Sequence, residues 1–350
     1  MTTRVAVIGV GSMGRNHARV YWELPNVELV AVADMNKATA ETIATRYNTK
    51  AYTDYNQMLD EQRPDAVTIC VPTSCHLQVA LDVIRRGIHL LIEKPIASSV
   101  DEGKKMIAAA EEANVILAVG HIERFNPAII SLKAHLANQE LGHVFQVDVH
   151  REGPLPTRIN DVGVVIDLAV HDLDIIRHVT QAEIVRIYAE TQRGIHSQYE
   201  DLMSGLIRLS DGTVGTLLIN WITPTKIREF FVTGECGMFK VDYLTQDLYF
   251  YENAIANGSE WETMHLLRGV HEGKMIRYHV DKKEPLRAEQ EDFLATVRGE
   301  KPVAVSGQDG LRALELAQAI VTSGQEHRLV SFDYPTPVVV EDTRILASAN

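Results

Sequence analysis

Residues 9–14 read Gly-Val-Gly-Ser-Met-Gly, between the apolar run Val5–Ile8 and a stretch of helical composition that ends near Glu23, before Pro25. Few folds accommodate that order. A strand that turns at once into a helix needs a tight turn at Gly9, close backbone approach to a ligand at Gly11 and close helix–strand packing at Gly14. The turn, which includes Ser12 and Met13, then presents the free amides and partial positive charge of a helix N-terminus to a pyrophosphate. A second apolar run, Leu29–Ala33, ends in Asp34, 20 residues after Gly14. An acid at that place holds a ribose 2′-hydroxyl and repels a 2′-phosphate. The pattern predicts a dinucleotide site that takes NAD. His17, three residues into the helix, reads as a hydrogen-bonded structural histidine.

The alternation continues to about residue 120. Lys37–Tyr47 reads as a helix, Asp65–Val71 as a strand ending at Pro72-Thr73, and His76–Arg86 as an amphipathic helix closed by Gly87. The apolar run Ile88–Ile92 ends in Glu93-Lys94-Pro95, Val100–Ala113 is helical, and Val115–Val119 ends in Gly120-His121. Buried strands alternating with helices predict a parallel, doubly wound sheet of the Rossmann type. Ligands bind outside the carboxyl ends of such strands. Pro72, Thr73, Lys94 and His121 all follow strands, so they share one edge with the glycine loop. Pro95 has no N–H with which to continue a ladder, so the strand stops there. Lys94 is then placed over the reacting end of a bound cofactor. The plainer alternative is a surface turn with two ordinary charges.

After Gly120 the texture changes. A helix runs to about Asn138, and strands then follow at Val144–His150, Glu183–Thr191, Met203–Leu209, Val214–Trp221, Arg228–Thr233 and Met238–Val241. Asp211-Gly212 and Glu235-Cys236-Gly237 read as hairpin turns. Strands joined by turns predict a mainly antiparallel open sheet, and helices at Pro285–Arg298 and Gln308–Ser323 complete an α+β domain. A chain of 350 residues exceeds what one core supports. Two domains are expected, residues 1–120 for the dinucleotide and residues 121–350 for the substrate.

A net charge of -13 argues against a nucleic-acid partner. Three cysteines without CxxC spacing offer no zinc or disulfide framework and fit a reducing compartment. The first strand begins at the N-terminus without a signal-like segment, and no apolar run is long enough to span a bilayer, so the cytoplasm is the expected location and no membrane partner is expected. Between Asp167 and His178 an otherwise apolar helix carries Asp167, His171, Asp174 and His178 on one face. That stripe should face water, a cleft or a metal. A third metal ligand is not identifiable, and no metal is expected.

Gly9–Gly14, Asp34, Val71-Pro72-Thr73 with His76, and Glu93-Lys94-Pro95 together resemble the Gfo/Idh/MocA family of NAD(P)-dependent oxidoreductases. The resemblance implies that Pro72, Thr73, His76, Glu93 and Lys94 belong to the cofactor site. It also implies that Lys94 touches both substrate and nicotinamide and that the peptide before Pro95 is cis. Asp167 and His171 match the family's DxxxH pair and complete a triad with Lys94. In that reading His171 is the general base, Lys94 stabilises the developing alkoxide and Asp167 orients its neighbours, with exchange of roles between His171 and Lys94 open.

Residues 120–127 and 161–168 are similar to UDP-N-acetylglucosamine 3-dehydrogenases within the family. This implies a nucleotide-sugar substrate whose diphosphate needs cations, for which Arg124, Arg151 and Arg158 are candidates, with Asn126 as a hydrogen-bond donor to sugar or phosphate. The family also implies a homo-oligomer, a dimer or tetramer, through the open face of the second sheet. Two rival readings are a free-polyol dehydrogenase, such as an inositol dehydrogenase, and a dinucleotide-sensing regulator without catalysis.

Overall fold

The turn at Gly9 organises the first half of the chain. A computed structural model describes residues 2–156, 162–195, 198–254 and 271–333. Gly9 has φ +84°. A Cβ at Gly14 would lie 1.8 Å from the Gly9 carbonyl oxygen, so only glycine lets the first helix start against the first strand.

Six strands, β1 (Thr3–Ile8), β2 (Val27–Ala33), β3 (Lys50–Tyr52), β4 (Ala66–Ile69), β5 (His89–Glu93) and β6 (Leu117–Gly120), form a sheet in the order β3-β2-β1-β4-β5-β6. All of these pairings are parallel. The helices between them are α1 (Gly14–Glu23), α2 (Lys37–Tyr47), α3 (Tyr55–Gln62), α4 (His76–Ile84) and α5 (Val100–Glu112). Sequence periodicity does not reveal β3 or α3. The strand has three residues, and α3 starts from a local cap, Asp54 accepting from the Asn56 amide at 2.8 Å.

The second domain begins with α6 (Pro127–Ala137) and β7 (Val144–Pro154). A π-helical segment, Val165–Ala169, runs directly into α7 (Val170–Thr180). Then come β8 (Ile184–Gln192), β9 (Leu202–Leu209), β10 (Val214–Asn220), β11 (Ile222–Gly234), β12 (Gly237–Asp242), β13 (Asp247–Ala254) and β14 (His271–Tyr278). Helices α8 (Pro285–Val297) and α9 (Gly307–Glu326) and the short β15 (Val330–Ser331) end the described chain. The sheet order is β14-β13-β12-β11-β7-β10-β9-β8-β15. Both expected hairpins form, β9–β10 around Gly212 and β11–β12 with Gly234 opposite Gly237. One pairing departs from the antiparallel expectation: β7 and β10 are parallel. β10 and β11 flank β7 and are separated by Trp221 alone, so the chain crosses the end of β7 and one of its two neighbours must run alongside it.

The expected boundary at residue 120 is crossed again near the C-terminus. Leu286, Phe293 and Leu294 of α8 are buried with Val5, Val7 and Tyr21 on one face of the parallel sheet. Leu311 and Leu314 of α9 are buried with Ile92, Ile96 and Val119 on the other face. Further along the same helix, Leu316, Ala317 and Ile320 join the core of the second domain. A capping box, Ser306 with Asp309, starts α9 beside β6, where Val119 donates to the Val305 carbonyl at 3.2 Å. One helix therefore belongs to both cores and fixes how the domains meet. No helix among the described residues is long and apolar enough to cross a membrane.

Candidate active site

Gly9–Gly14, Asp34, Pro72-Thr73, Glu93-Lys94 and His121 all lie at or just beyond strand ends on one edge of the parallel sheet. Asp34 is tied to the glycine loop, its Oδ2 accepting from the Val10 amide at 2.9 Å and its Oδ1 from the Asn36 amide at 2.9 Å. Helix α1 has no side-chain N-cap and no acid in its first turn, and none of the described residues lies within 4 Å of a Cβ placed on Gly11. Open amides, open space and an acid at the next strand end fit a dinucleotide.

The Lys94–Pro95 peptide is cis. His76 is buried with Nδ1 3.0 Å from the Pro95 carbonyl oxygen and Nε2 3.0 Å from that of Val71. Burial lowers its pKa, so the neutral ring donates to one of these loops at a time. Its nitrogens are spent on backbone, so His76 ties together the loops that follow β4 and β5. Glu93 is held by His17, whose Nε2 lies 2.8 Å from Glu93 Oε1, while the Gln290 amide of α8 donates to His17 Nδ1 at 2.8 Å. That second bond makes Nε2 the protonated nitrogen. Burial works to raise the Glu93 pKa, but His17 and Lys94 outweigh it and the net shift is downward. His17 is thus structural, as its place in the sequence predicts. Cys70 Sγ lies within 4.8 Å of the His17 and Glu93 ligand atoms, and burial keeps this thiol protonated.

Lys94 Nζ donates to Asp167 twice, to the backbone oxygen at 2.7 Å and to Oδ1 at 2.8 Å. Asp167 lies in the π-helical segment, a form that recurs at functional sites. Glu200 supports the start of that segment, its backbone oxygen accepting from the Val164 amide at 2.9 Å and its Oε1 from the Val165 amide at 3.2 Å. A Cβ on Gly163 would fall within 2.0 Å of the Glu200 carboxylate. His171 follows one turn later. Its Nδ1 is buried with no hydrogen-bond partner among the described residues, and its pKa is pushed well below 6.5 by burial and then by Lys94, Arg151, His121 and Arg228. The ring is therefore neutral at pH 7 and able to accept a proton. His121, at the end of β6, meets it edge-on with ring centroids 6.3 Å apart, and neither His121 ring nitrogen has a hydrogen-bond partner among the described residues. A cleft of about 920 Å³ beside this edge is walled by Thr73, Pro95, Ile166, Tyr199 and Leu314 but not by the triad itself.

Asp174 and His178 of the polar stripe, and Asp172 beside it, meet side chains of the protein. Arg124 is 8% exposed and forks onto Asp174 at 2.7 and 2.6 Å, with Asp309 at 3.0 Å. Arg151, 4% exposed, bonds Asp172 at 2.6 Å and Glu123 at 3.3 Å and stacks over Tyr243 at 5.1 Å. His178 sits beside Lys133, and burial together with Arg124 and Lys133 brings its pKa to about 4. Arg124 and Arg151 are thus neither surface cations nor free phosphate ligands, because carboxylates already neutralise them. Asn126 is likewise spent, donating to the Tyr243 carbonyl at 3.1 Å and capping α6 through the Ala128 amide at 3.1 Å. Arg158 and Asp161 lie outside the described residues.

Residues 3–121 match the NAD-binding Rossmann domain of the GFO/IDH/MocA oxidoreductases, and residues 129–240 match the C-terminal domain of the same group. The UDP-N-acetylglucosamine 3-dehydrogenase of Acidithiobacillus ferrooxidans is 31% identical over 314 residues, 90% of this chain and 95% of that one. The chain belongs to the Gfo/Idh/MocA family. It is accordingly a dinucleotide-binding oxidoreductase, which agrees with the glycine loop and the Asp34 edge. A crystallographically solved form of the Acidithiobacillus protein superposes with a TM-score of 0.80 at 30% identity, covering 93% of this chain and 99% of that one. An inositol 2-dehydrogenase of Rubrobacter xylanophilus is 25% identical, over 95% of this chain and 94% of that one.

Breaking the buried Arg124–Asp174 pair from one side should cost about 3–5 kcal/mol, because it leaves an uncompensated buried charge. Denaturant unfolding of Arg124→Met should show that loss, and the double variant Arg124→Met/Asp174→Leu should recover much of it. An Arg124→Met protein of unchanged stability would return Arg124 to the candidates for substrate binding.

Proposed function

We propose that this protein oxidises a secondary hydroxyl of a nucleotide sugar by hydride transfer to NAD, with C3 of UDP-N-acetylglucosamine as the substrate position. The observation that carries the reading is the pairing of a fixed cation with a neutral base: Lys94 held on Asp167, and His171 kept unprotonated one turn further along. A bound nicotinamide supplies the hydride acceptor. The chain's own residues manage the proton. His171 takes it from the hydroxyl, the Lys94 ammonium stabilises the oxygen as negative charge develops, and Asp167 holds Lys94 in place. The choice of nucleotide sugar rests on the likeness to the Acidithiobacillus enzyme.

A panel of UDP-N-acetylglucosamine, N-acetylglucosamine and myo-inositol, read by absorbance of reduced nicotinamide with an aminotransferase present to trap a 3-keto product, tests the substrate. Turnover with myo-inositol and none with the nucleotide sugar would move the protein to the free-polyol reading. Absence of turnover with any alcohol would favour the sensing role.

Lys94→Ala and His171→Ala should each lower kcat by roughly 100-fold or more while NAD still binds. A base must be unprotonated to act, and the His171 pKa is depressed, so the acid limb of kcat/KM should fall below the ordinary histidine value of 6.5. A limb above that value that persists in His171→Ala would assign the proton to another group, with Lys94 first in line.

Asp34 should make NAD the preferred cofactor over NADP, since a 2′-phosphate would meet its carboxylate. Asp34→Ser should narrow that preference. Equal kcat/KM for both cofactors in the unmodified protein would refute this assignment.

The outer face of the nine-stranded sheet supports a homo-oligomer. Tyr188 pairs with Leu206, and Val214 and Leu218 project from the same face of β10; these side chains are 37–54% exposed. Light scattering should give a dimer or tetramer, and Leu206→Glu with Leu218→Glu should reduce it to a monomer. A monomeric unmodified protein would remove this assembly.

A further inference from the structure

We propose that Arg228, with Lys226 beside it, forms the cation subsite for an anionic group of the substrate, carried at a distance from the hydroxyl that reacts. The proposal rests on the nucleotide-sugar reading only in naming a diphosphate as the occupant.

An anion subsite needs a cation that the protein has not already neutralised. Arg228 on β11 is the direct Cα partner of Arg151 on β7, so the two side chains leave the same face of the sheet. That face is covered by α7, where Arg151 reaches Asp172, the neighbour of His171. Among the described residues Arg228 hydrogen-bonds only to backbone: its Nη1 donates to the Ile227 carbonyl at 2.8 Å and to the Glu152 carbonyl. The nearby carboxylates are already engaged, Asp172 and Glu123 by Arg151 and Asp167 by Lys94. Among the described residues no carboxylate forms an ion pair with Arg228.

Gly153 of β7 borders both cations: a Cβ there would meet both Arg228 terminal nitrogens at 3.8 Å and Lys226 Cγ at 3.4 Å, ordinary contact distances. The β7–β11 register shifts between Ile222 and Ile227, and Lys226 in the displaced stretch is exposed. Half-buried Arg228 thus carries a charge that its surroundings penalise. Burial and then repulsion from Arg151 lower its pKa, the reverse of what carboxylates do for Arg124 and Arg151. A bound anion would remove that penalty. It would also act on the base, because Arg228 is one of the cations that depress His171. Neutralising Arg228 would raise the proton affinity of His171 when the substrate is in place.

Calorimetric titration of UDP into the NAD-loaded full chain tests this without turnover. Arg228→Gln should weaken UDP binding at least about tenfold, the scale of one lost charge-assisted hydrogen bond, and flatten its salt dependence. Arg228→Lys should restore part of the loss, and NAD affinity should not change. Unaltered UDP affinity in Arg228→Gln would overturn the proposal. Glucuronate supplies the second arm. If UDP does not bind but glucuronate binds in an Arg228-dependent way, the subsite stands with a carboxylate occupant and the nucleotide-sugar reading falls. If neither anion binds the unmodified protein, the subsite falls. Should Arg228→Gln fail to fold, Lys226→Gln decides at an exposed position: weaker UDP binding supports the subsite, and unchanged binding overturns it.

Discussion

Lys94 reaches across the junction of the two domains, and its ammonium is held by two oxygens of one residue, the backbone and carboxylate oxygens of Asp167. Most of the surrounding structure fixes one end or the other of that contact. On the lysine side, β5 stops at Glu93, His76 ties down the backbone around Pro95, and His17 anchors Glu93. His17 is in turn set by Gln290, which arrives from the far end of the chain on α8. On the aspartate side, the π-helical turn is supported by Glu200, and α7 is cross-braced to the rest of its domain by buried ion pairs. A single hydrogen-bonded ammonium therefore reports the alignment of two separately built cores.

Under the proposed catalytic roles that alignment has to be rigid, because an acid–base pair tolerates little displacement from the reacting oxygen. Helix α9 supplies the rigidity by burying its first half in one core and its second half in the other. The last helices are thus a continuation of the dinucleotide-binding unit as much as of the second domain. They also explain why a buried glutamine 273 residues away in sequence sets the tautomer of His17.

The electrostatics follow from how the charges are paired. Arg124 and Arg151 are buried, and a buried arginine is tolerated only with a carboxylate against it. Asp174 and Asp172 fill that need from α7. Burial comes first in keeping His171 neutral, and Lys94, Arg151, His121 and Arg228 act in the same direction.

Much of this protein can be read from its sequence alone. The glycine loop, Asp34 and the run of strand ends that gathers Lys94 with Pro72 and Thr73 are local patterns, because the period of a strand, the turn of a glycine and the stop at a proline depend on neighbours in the chain. The hairpins at Gly212 and Gly237 are legible for the same reason. The α7 stripe is legible as a face but not as a set of partners. Its acids looked ready for a cleft, and the tertiary structure gave Asp167 to Lys94 and Asp174 to Arg124, 73 and 50 residues away. The parallel β7–β10 pair, the return of α8 and α9 to the first core and the lack of a carboxylate for Arg228 among the described residues were likewise beyond sequence reading. Each depends on which distant segments come into contact, and whether a charge is spent or free is a property of that contact, not of the residue that carries it.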